Sequence, residues 1–113
     1  MTSPTDSTQL LKGVLDLAVL AVLSHEDGYG YDVVRRLREA GLTDVAEASV
    51  YGTLRRLFAD GCLSSYVVPS DEGPHRKYYA LTTAGRTHLT SQAVVWRDFS
   101  RAISSLIEST GKD

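Results

Sequence analysis

Residues 62–81 read CLSSYVVPSDEGPHRKYYAL, and how this stretch folds decides the architecture. "CLSSYVV" has the β-branched and aromatic content of a strand, "PSDEGPH" that of a tight polar connection, and "RKYYAL" that of a returning strand. Pro69 and Pro74 bracket the turn, where no ladder N–H has to be supplied. The stretch is therefore a β-hairpin. Alternation sends Tyr79 and Leu81 to one face and Tyr78 to the other, which assigns one ring to the core and neither to base reading. His75, Arg76 and Lys77 gather positive charge at the end of the turn, in a chain whose formal net charge is −2.

Upstream of the hairpin the pattern is helical. Between Gln9 and Ser24 apolar residues fall on nearly every side, so this helix is enclosed by other elements or by another subunit; Asp6, Ser7 or Thr8 is placed to cap it. "HEDGYGY" breaks it, with Gly28 and Gly30 as punctuation. A second helix fits Tyr31 to Ala40, with Val33, Val34 and Leu37 inward and Gly41 at the C-cap. Arg35, Arg36 and Arg38 are expected on a solvated face with Asp32 and Glu39. A third helix starts near Ala46 or Glu47, turns Val50, Leu54 and Leu57 inward, and stops at Gly61.

Downstream, Thr82 or Thr83 caps a long helix reaching about Ser109. Leu89, Trp96 and Ile103 recur every seven residues, as do Gln92, Phe99 and Leu106, and an apolar seam of this period needs a partner. A homodimer is expected from the seam and from the small size of the chain.

A chain of 113 residues with 42% hydrophobic and 23% charged residues is one globular domain. Met1 to Thr8 reads as a mobile tail without the regions of a signal peptide. The apolar run Leu10–Leu23 holds Lys12 and Asp16 and is short for a bilayer, so a cytoplasmic location without membrane contact is expected. Cys62 is the single cysteine, which excludes an internal disulfide and reads as a small buried hydrophobe. Charge is balanced: residues 28–81 carry seven groups of each sign. Any contact with nucleic acid must then use local clusters rather than global charge.

Three short helices followed by a hairpin is the order of a winged helix-turn-helix, in which the third helix enters the major groove and the hairpin reaches the adjacent backbone. The expected fold is thus mainly α (α+β): a flexible tail over residues 1–8, a winged helix-turn-helix DNA-binding domain over 9–81, and a long C-terminal dimerisation helix with a short tail over 82–113. At 100° per residue the third helix points Ala48, Gly52, Arg55, Arg56 and Ala59 outward, with Ser49 and Tyr51 on its flanks. Small residues near its start let the backbone approach base edges. Arg55 and Arg56 follow within reach of phosphate or guanine, and His75, Arg76 and Lys77 occupy the wing.

Four blocks, "LLKGVLDLAVLAVLS", "YGYDVVRRLREAG", "ASVYGTLRRLFADGCL" and "GPHRKYYALTTAGR", resemble in order the PadR family of bacterial transcriptional regulators, over roughly Leu10 to Arg97. The short last helix resembles the family's compact subgroup. The resemblance implies a dimeric repressor that binds a pseudo-palindromic double-stranded operator and responds to a small, often aromatic effector. It matches Tyr51, Arg55 and Arg56 to the recognition helix, Arg76 and Lys77 to the wing, and Tyr29 and Tyr31 to a segment near the DNA backbone. It implies a dimer interface on the last helix assisted by the first, for which Leu11, Leu15, Leu89, Trp96, Phe99, Ile103 and Leu106 are the candidates. Gly52 stands where the family usually has proline.

Trp96 has two readings, a packing anchor in the seam or a stacking surface for an aromatic effector with Phe99 beside it. Catalysis and cofactor binding find no support: His25, His75 and His88 lack ligand spacing with Cys62, no Gly-x-Ser-x-Gly or phosphate-binding glycine loop is present, and Asp71 and Glu72 belong to an exposed turn. The competing function is a protein-binding winged-helix module without DNA affinity, motivated by the overall acidity and Gly52.

Overall fold

A computed structural model describes residues 7–110. Its elements run α1 (Thr8–His25), β1 (Gly28–Tyr29), α2 (Gly30–Glu39), α3 (Glu47–Ala59), β2 (Leu63–Val68), β3 (Arg76–Leu81) and α4 (Thr83–Thr110). Residues 1–6 of the expected tail, Asp6 as a cap among them, and residues 111–113 lie outside the described residues. Ser7 precedes α1, and its hydroxyl and N–H both donate to Asp44 Oδ2, at 2.9 and 3.0 Å. The start of α1 is thereby tied to the loop before α3.

α1 is the central element, packed against α2, α3, α4 and β3. Leu11, Leu15, Val19, Leu20 and Leu23 form its buried side, meeting Val33, Val34 and Leu37 of α2 and Val50, Leu54 and Leu57 of α3 in one core. At 18 residues and mean hydropathy 1.3, α1 is long and apolar enough to cross a bilayer. The shortness of the run Leu10–Leu23 therefore does not decide against a span; the core accounts for the five buried residues, and the rest of the apolar surface faces α4 or lies open. Leu11 and Leu15, expected at a subunit interface, are only 6% and 8% exposed within the chain itself. Their apolar surface is spent on intrachain packing, and the apolar α1 surface left open is Leu10 with the groove residues Val14, Leu17, Ala18 and Ala21.

The sheet has three strands, in the order β1-β3-β2, rather than the two of a simple hairpin. Tyr66 pairs with Tyr78 across β2 and β3, and β1 adds Tyr29 opposite Tyr78 and Gly28 opposite Tyr79. A two-residue strand carries no periodicity, which is why the segment reads as a plain break in the sequence. Tyr79 is buried and Tyr78 half-buried, the division that alternation requires. Gly41 (φ 114°) and Gly61 (φ 82°) end α2 and α3 in the left-handed region. Thr82 begins α4 as a cap, its hydroxyl donating to Gly61 O and accepting from the Gly85 N–H.

Arg36 is not on a solvated face. Its side chain is 17% exposed, and its Nη2 donates to the carbonyls of Val22 and Glu26 at 2.7 and 3.0 Å. The last carbonyls of a helix have no partner within it, and Arg36 supplies one for α1 while pairing with Asp32 at 3.3 Å. Arg35 does sit at the surface, between Asp32 and Glu39. Arg38 reaches the Val45 carbonyl at 3.1 Å.

A second cross-link joins α1 to α3. Arg56 Nη1 and Nη2 donate to Asp16 Oδ2 and Oδ1 at 2.8 and 2.5 Å. The guanidinium holds the Asp16 carboxyl below its ordinary range, helped by His88 of α4 and opposed by partial burial.

Arg36→Ala should cost about 2–3 kcal/mol in urea unfolding, because it orphans several acceptors, while Arg35→Ala should stay within about 0.5 kcal/mol. Asp16→Asn should cost under about 1 kcal/mol near neutral pH, since both partners are substantially exposed. A carboxyl whose pKa is lowered on folding stabilises above its unfolded value, about 3.9, and loses that contribution as pH falls through the folded value. The gap between wild type and Asp16→Asn should therefore be flat from pH 7 to 5 and close below about pH 4, as read from urea midpoints across that range.

Candidate nucleic-acid interface

α3 buries Val50, Thr53, Leu54 and Leu57 and leaves Ala48, Ser49, Arg55, Arg56 and Ala59 exposed. This is the outward face that the helical wheel places there. Its two arginines diverge. Arg55 lies toward the wing, whereas Arg56 turns back to Asp16 on α1 and is not the free cation expected from its position. At Gly52 an added Cβ would meet only the Arg55 guanidinium, at 3.9 Å, so the backbone there has room for a side chain.

Tyr51 turns sideways, on the flank where the helical wheel places it. Its ring covers Gly30 at the start of α2 so closely that a Cβ on residue 30 would lie 2.4 Å from it. Between these residues and β3 opens a cleft of about 350 Å³, lined by Tyr29, Gly30, Tyr51, Arg55, Arg76, Lys77 and Tyr79. Three cations and three phenols line it, and no carboxylate does. Such a lining suits a phosphate-bearing strand: charge-assisted donors from arginine and lysine, with hydroxyls to position them.

The wing cations rest on rings. The Arg76 guanidinium lies 4.5 Å from the Tyr29 ring centroid. The Lys77 ammonium lies 5.2 Å from that of Phe58 and 5.5 Å from that of Tyr79. Contacts of this kind contribute about 0.5–1 kcal/mol each at exposed sites and restrict the side chains before any ligand arrives. His75 is exposed in the loop just before β3, and Tyr31 is half-exposed in the first turn of α2. Neither lines the cleft.

On the other face of the sheet the Tyr66 ring stacks on Tyr78 at 5.6 Å, and Tyr29 meets Tyr78 edge-on at 5.4 Å. The Tyr66 hydroxyl donates to Asp27 Oδ2 at 2.7 Å, and this bond raises the phenol's pKa by favouring its neutral form. The three rings and Asp27 brace β2 and β3 against the segment after α1. Sequence reading misses this brace because it depends on β1; the facing positions of Tyr66 and Tyr78 in the hairpin were its one visible trace.

The remaining open surface belongs to α4. From Val94 to Ser109 every residue except Ser100 is exposed. That stretch includes Val95, Trp96, Phe99, Ile103 and Leu106 at 41–64%. Leu89, nearer the start, packs against the core. Between α1 and α4 runs a groove of about 580 Å³, its α1 wall made by Val14, Leu17, Ala18 and Ala21 and its α4 wall by Leu89, Thr90, Ala93, Val94, Trp96 and Arg97. Trp96 thus lines a cavity, while Phe99 does not.

Comparison with known proteins gives one answer. The profile of the "Transcriptional regulator PadR-like family" matches residues 19–91. A PadR-like transcriptional regulator from Bacillus cereus is 34% identical, with 88% of this chain and 96% of that one aligned and a TM-score of 0.78. A Streptococcus transcriptional regulator is also 34% identical, over 87% and 96% of the two chains, with a TM-score of 0.76. A PadR family regulator from Eggerthella lenta is 30% identical over 89% and 88%, with a TM-score of 0.79. A winged-helix scaffold, a cationic cleft beside an outward third helix and these matches together lead to one conclusion: the chain belongs to the PadR-like family of transcriptional regulators, which are DNA-binding proteins and not enzymes.

Proposed function

We propose that the protein is a homodimeric repressor that binds a pseudo-palindromic operator and leaves it when a small apolar or aromatic effector enters the groove between α1 and α4. The observation that carries the reading is the convergence of Arg55, Arg76 and Lys77 on one side of α3. A nearly neutral subunit needs such a cluster to hold a polyanion, and the acidic groups lie elsewhere. Ser49, Tyr51, Gly52 and Tyr31 extend the same surface toward base edges and backbone, with His75 at the wing and Arg56 reaching it once its pair with Asp16 opens.

The exposed stripe on α4 supports a second copy as its partner. Trp96, Phe99, Ile103 and Leu106 repeat with the period of a helical seam, and burying them against an identical stripe generates a closed twofold pair. A twofold pair presents two third helices to successive major grooves about 34–36 Å apart. The effector acts through differential affinity: a ligand that fits the α1–α4 groove better in one spacing of the pair shifts the population toward that spacing. Trp96 is then both a seam residue and one wall of the effector site, with Phe99 beside it.

Titration of wild type and of Arg76→Ala/Lys77→Ala against a mixed-sequence duplex over a salt series tests the reading. The double substitution should weaken binding and flatten the slope of log K on log salt by about two units for each subunit engaged. A slope identical to wild type would remove the wing from the interface. Wild type that binds no duplex at micromolar concentration and low salt would contradict the reading as a whole.

A further inference from the structure

Arg56 has the position of a DNA-contacting residue and the environment of a structural one. It stands one residue after Arg55 on the outward face of α3, and its side chain remains 53% exposed. Yet both its terminal nitrogens are committed to one carboxylate, Asp16 Oδ1 and Oδ2, donated from α1, 40 residues away in sequence. The carboxylate is itself 41% exposed. Two features follow. A planar fork facing two oxygens at hydrogen-bond distance is the geometry with which arginine takes a phosphate. And the pair is open enough to solvent that a second anion can approach without unfolding anything.

We propose that Asp16 is an intramolecular competitor for Arg56 that sets DNA affinity: its carboxylate occupies the guanidinium in the free protein, and DNA phosphate must displace it. The inference rests on the DNA-binding reading above and goes beyond it by assigning a binding-determining role to an acidic residue of α1. Electrostatics gives the sign. While the pair is closed, the site presents no net charge to a phosphate, and once Arg56 is recruited the freed Asp16 carboxylate faces the polyanion. Its presence therefore costs affinity on both counts. The size follows from the exposure of the pair. Exposed ion pairs contribute about 0.2–1 kcal/mol, so removing the competitor should tighten binding by up to about fivefold for each subunit engaged. The freed carboxylate keeps a cation beside the polyanion, so removing it should steepen the salt slope by up to about one unit per subunit.

The placement of Asp16 gives this contact a regulatory reach. α1 carries Val14, Leu17 and Ala18 around Asp16, and those residues form one wall of the groove shared with α4. Any shift of α1 relative to α3 changes how firmly Asp16 holds Arg56.

The test compares wild type, Asp16→Asn, Asp16→Glu, Arg56→Ala and the double variant Asp16→Asn/Arg56→Ala, each binding a fluorescent mixed-sequence 30-base-pair duplex from about 50 to 200 mM salt. Melting curves confirm that each is folded. Asp16→Asn should bind tighter by up to about fivefold for each subunit engaged, with a slope steeper by up to about one unit per subunit. Asp16→Glu, which keeps the carboxylate, should return toward wild type, and in the Arg56→Ala background Asp16→Asn should gain less than it does alone. A merely structural pair predicts a lower melting temperature for Asp16→Asn with affinity and slope unchanged. That result, or weaker binding, overturns the proposal. Should Asp16→Asn fail to fold, Arg56→Ala decides: weaker binding with a flatter slope than wild type supports an arginine that phosphate recruits, and affinity and slope equal to wild type overturn it. Wild type that does not bind the duplex speaks against the DNA-binding reading itself, which separates that failure from this one.

Discussion

α1 must be covered on more sides than one chain of this size can cover. Its inner face is satisfied: Leu11, Leu15, Val19, Leu20 and Leu23 lie in a core built with α2 and α3. Its outer face, Val14, Leu17, Ala18 and Ala21, meets only the first half of α4 across an open groove. α4 in turn runs 28 residues, about 42 Å at 1.5 Å per residue, and from Val94 to Ser109 every residue except Ser100 is exposed. The winged domain is thus complete as a fold and incomplete as a surface. In the proposed dimer, closure of that outer surface sets both the spacing of two reading heads and the volume left for a ligand.

On the proposed DNA-facing side the cations of residues 28–81 divide between structural and open positions. Arg36 and Arg38 hold backbone carbonyls, Arg35 pairs with acids on its own helix, and Arg55, Arg76 and Lys77 remain for the cleft. Two of the last three rest on aromatic rings, which reduces the rotamer freedom lost on binding. Tyrosines bridge the two tasks: Tyr29 faces Arg76 on one side and Tyr78 on the other, so the stack that braces the wing also positions its charge.

Much of this was legible in the sequence. The hairpin, its proline-bracketed turn, three helices with inward apolar residues and a seven-residue seam in the last helix follow from periodicity and turn chemistry. What the sequence hid was tertiary pairing. A helical wheel says that Arg56 points outward, but not that Asp16, forty positions earlier, waits for it; the same holds for Arg36 and the end of α1. β1 was invisible because two residues make no pattern. Leu11 and Leu15 looked available to a partner because an all-round apolar helix does not declare which side its own chain will take.

The central claim is that α4 clamps two copies of the winged domain at the spacing of successive major grooves. The most direct test is a distance between paired spin labels. Cys62→Ser removes the one native thiol and Ala48→Cys places a label at the exposed start of α3 in each subunit, for pulsed dipolar measurement in solution. The account predicts a single distribution centred near 35 Å, one turn of DNA. Absence of dipolar coupling, as for a lone subunit, or a separation far from one turn would contradict it.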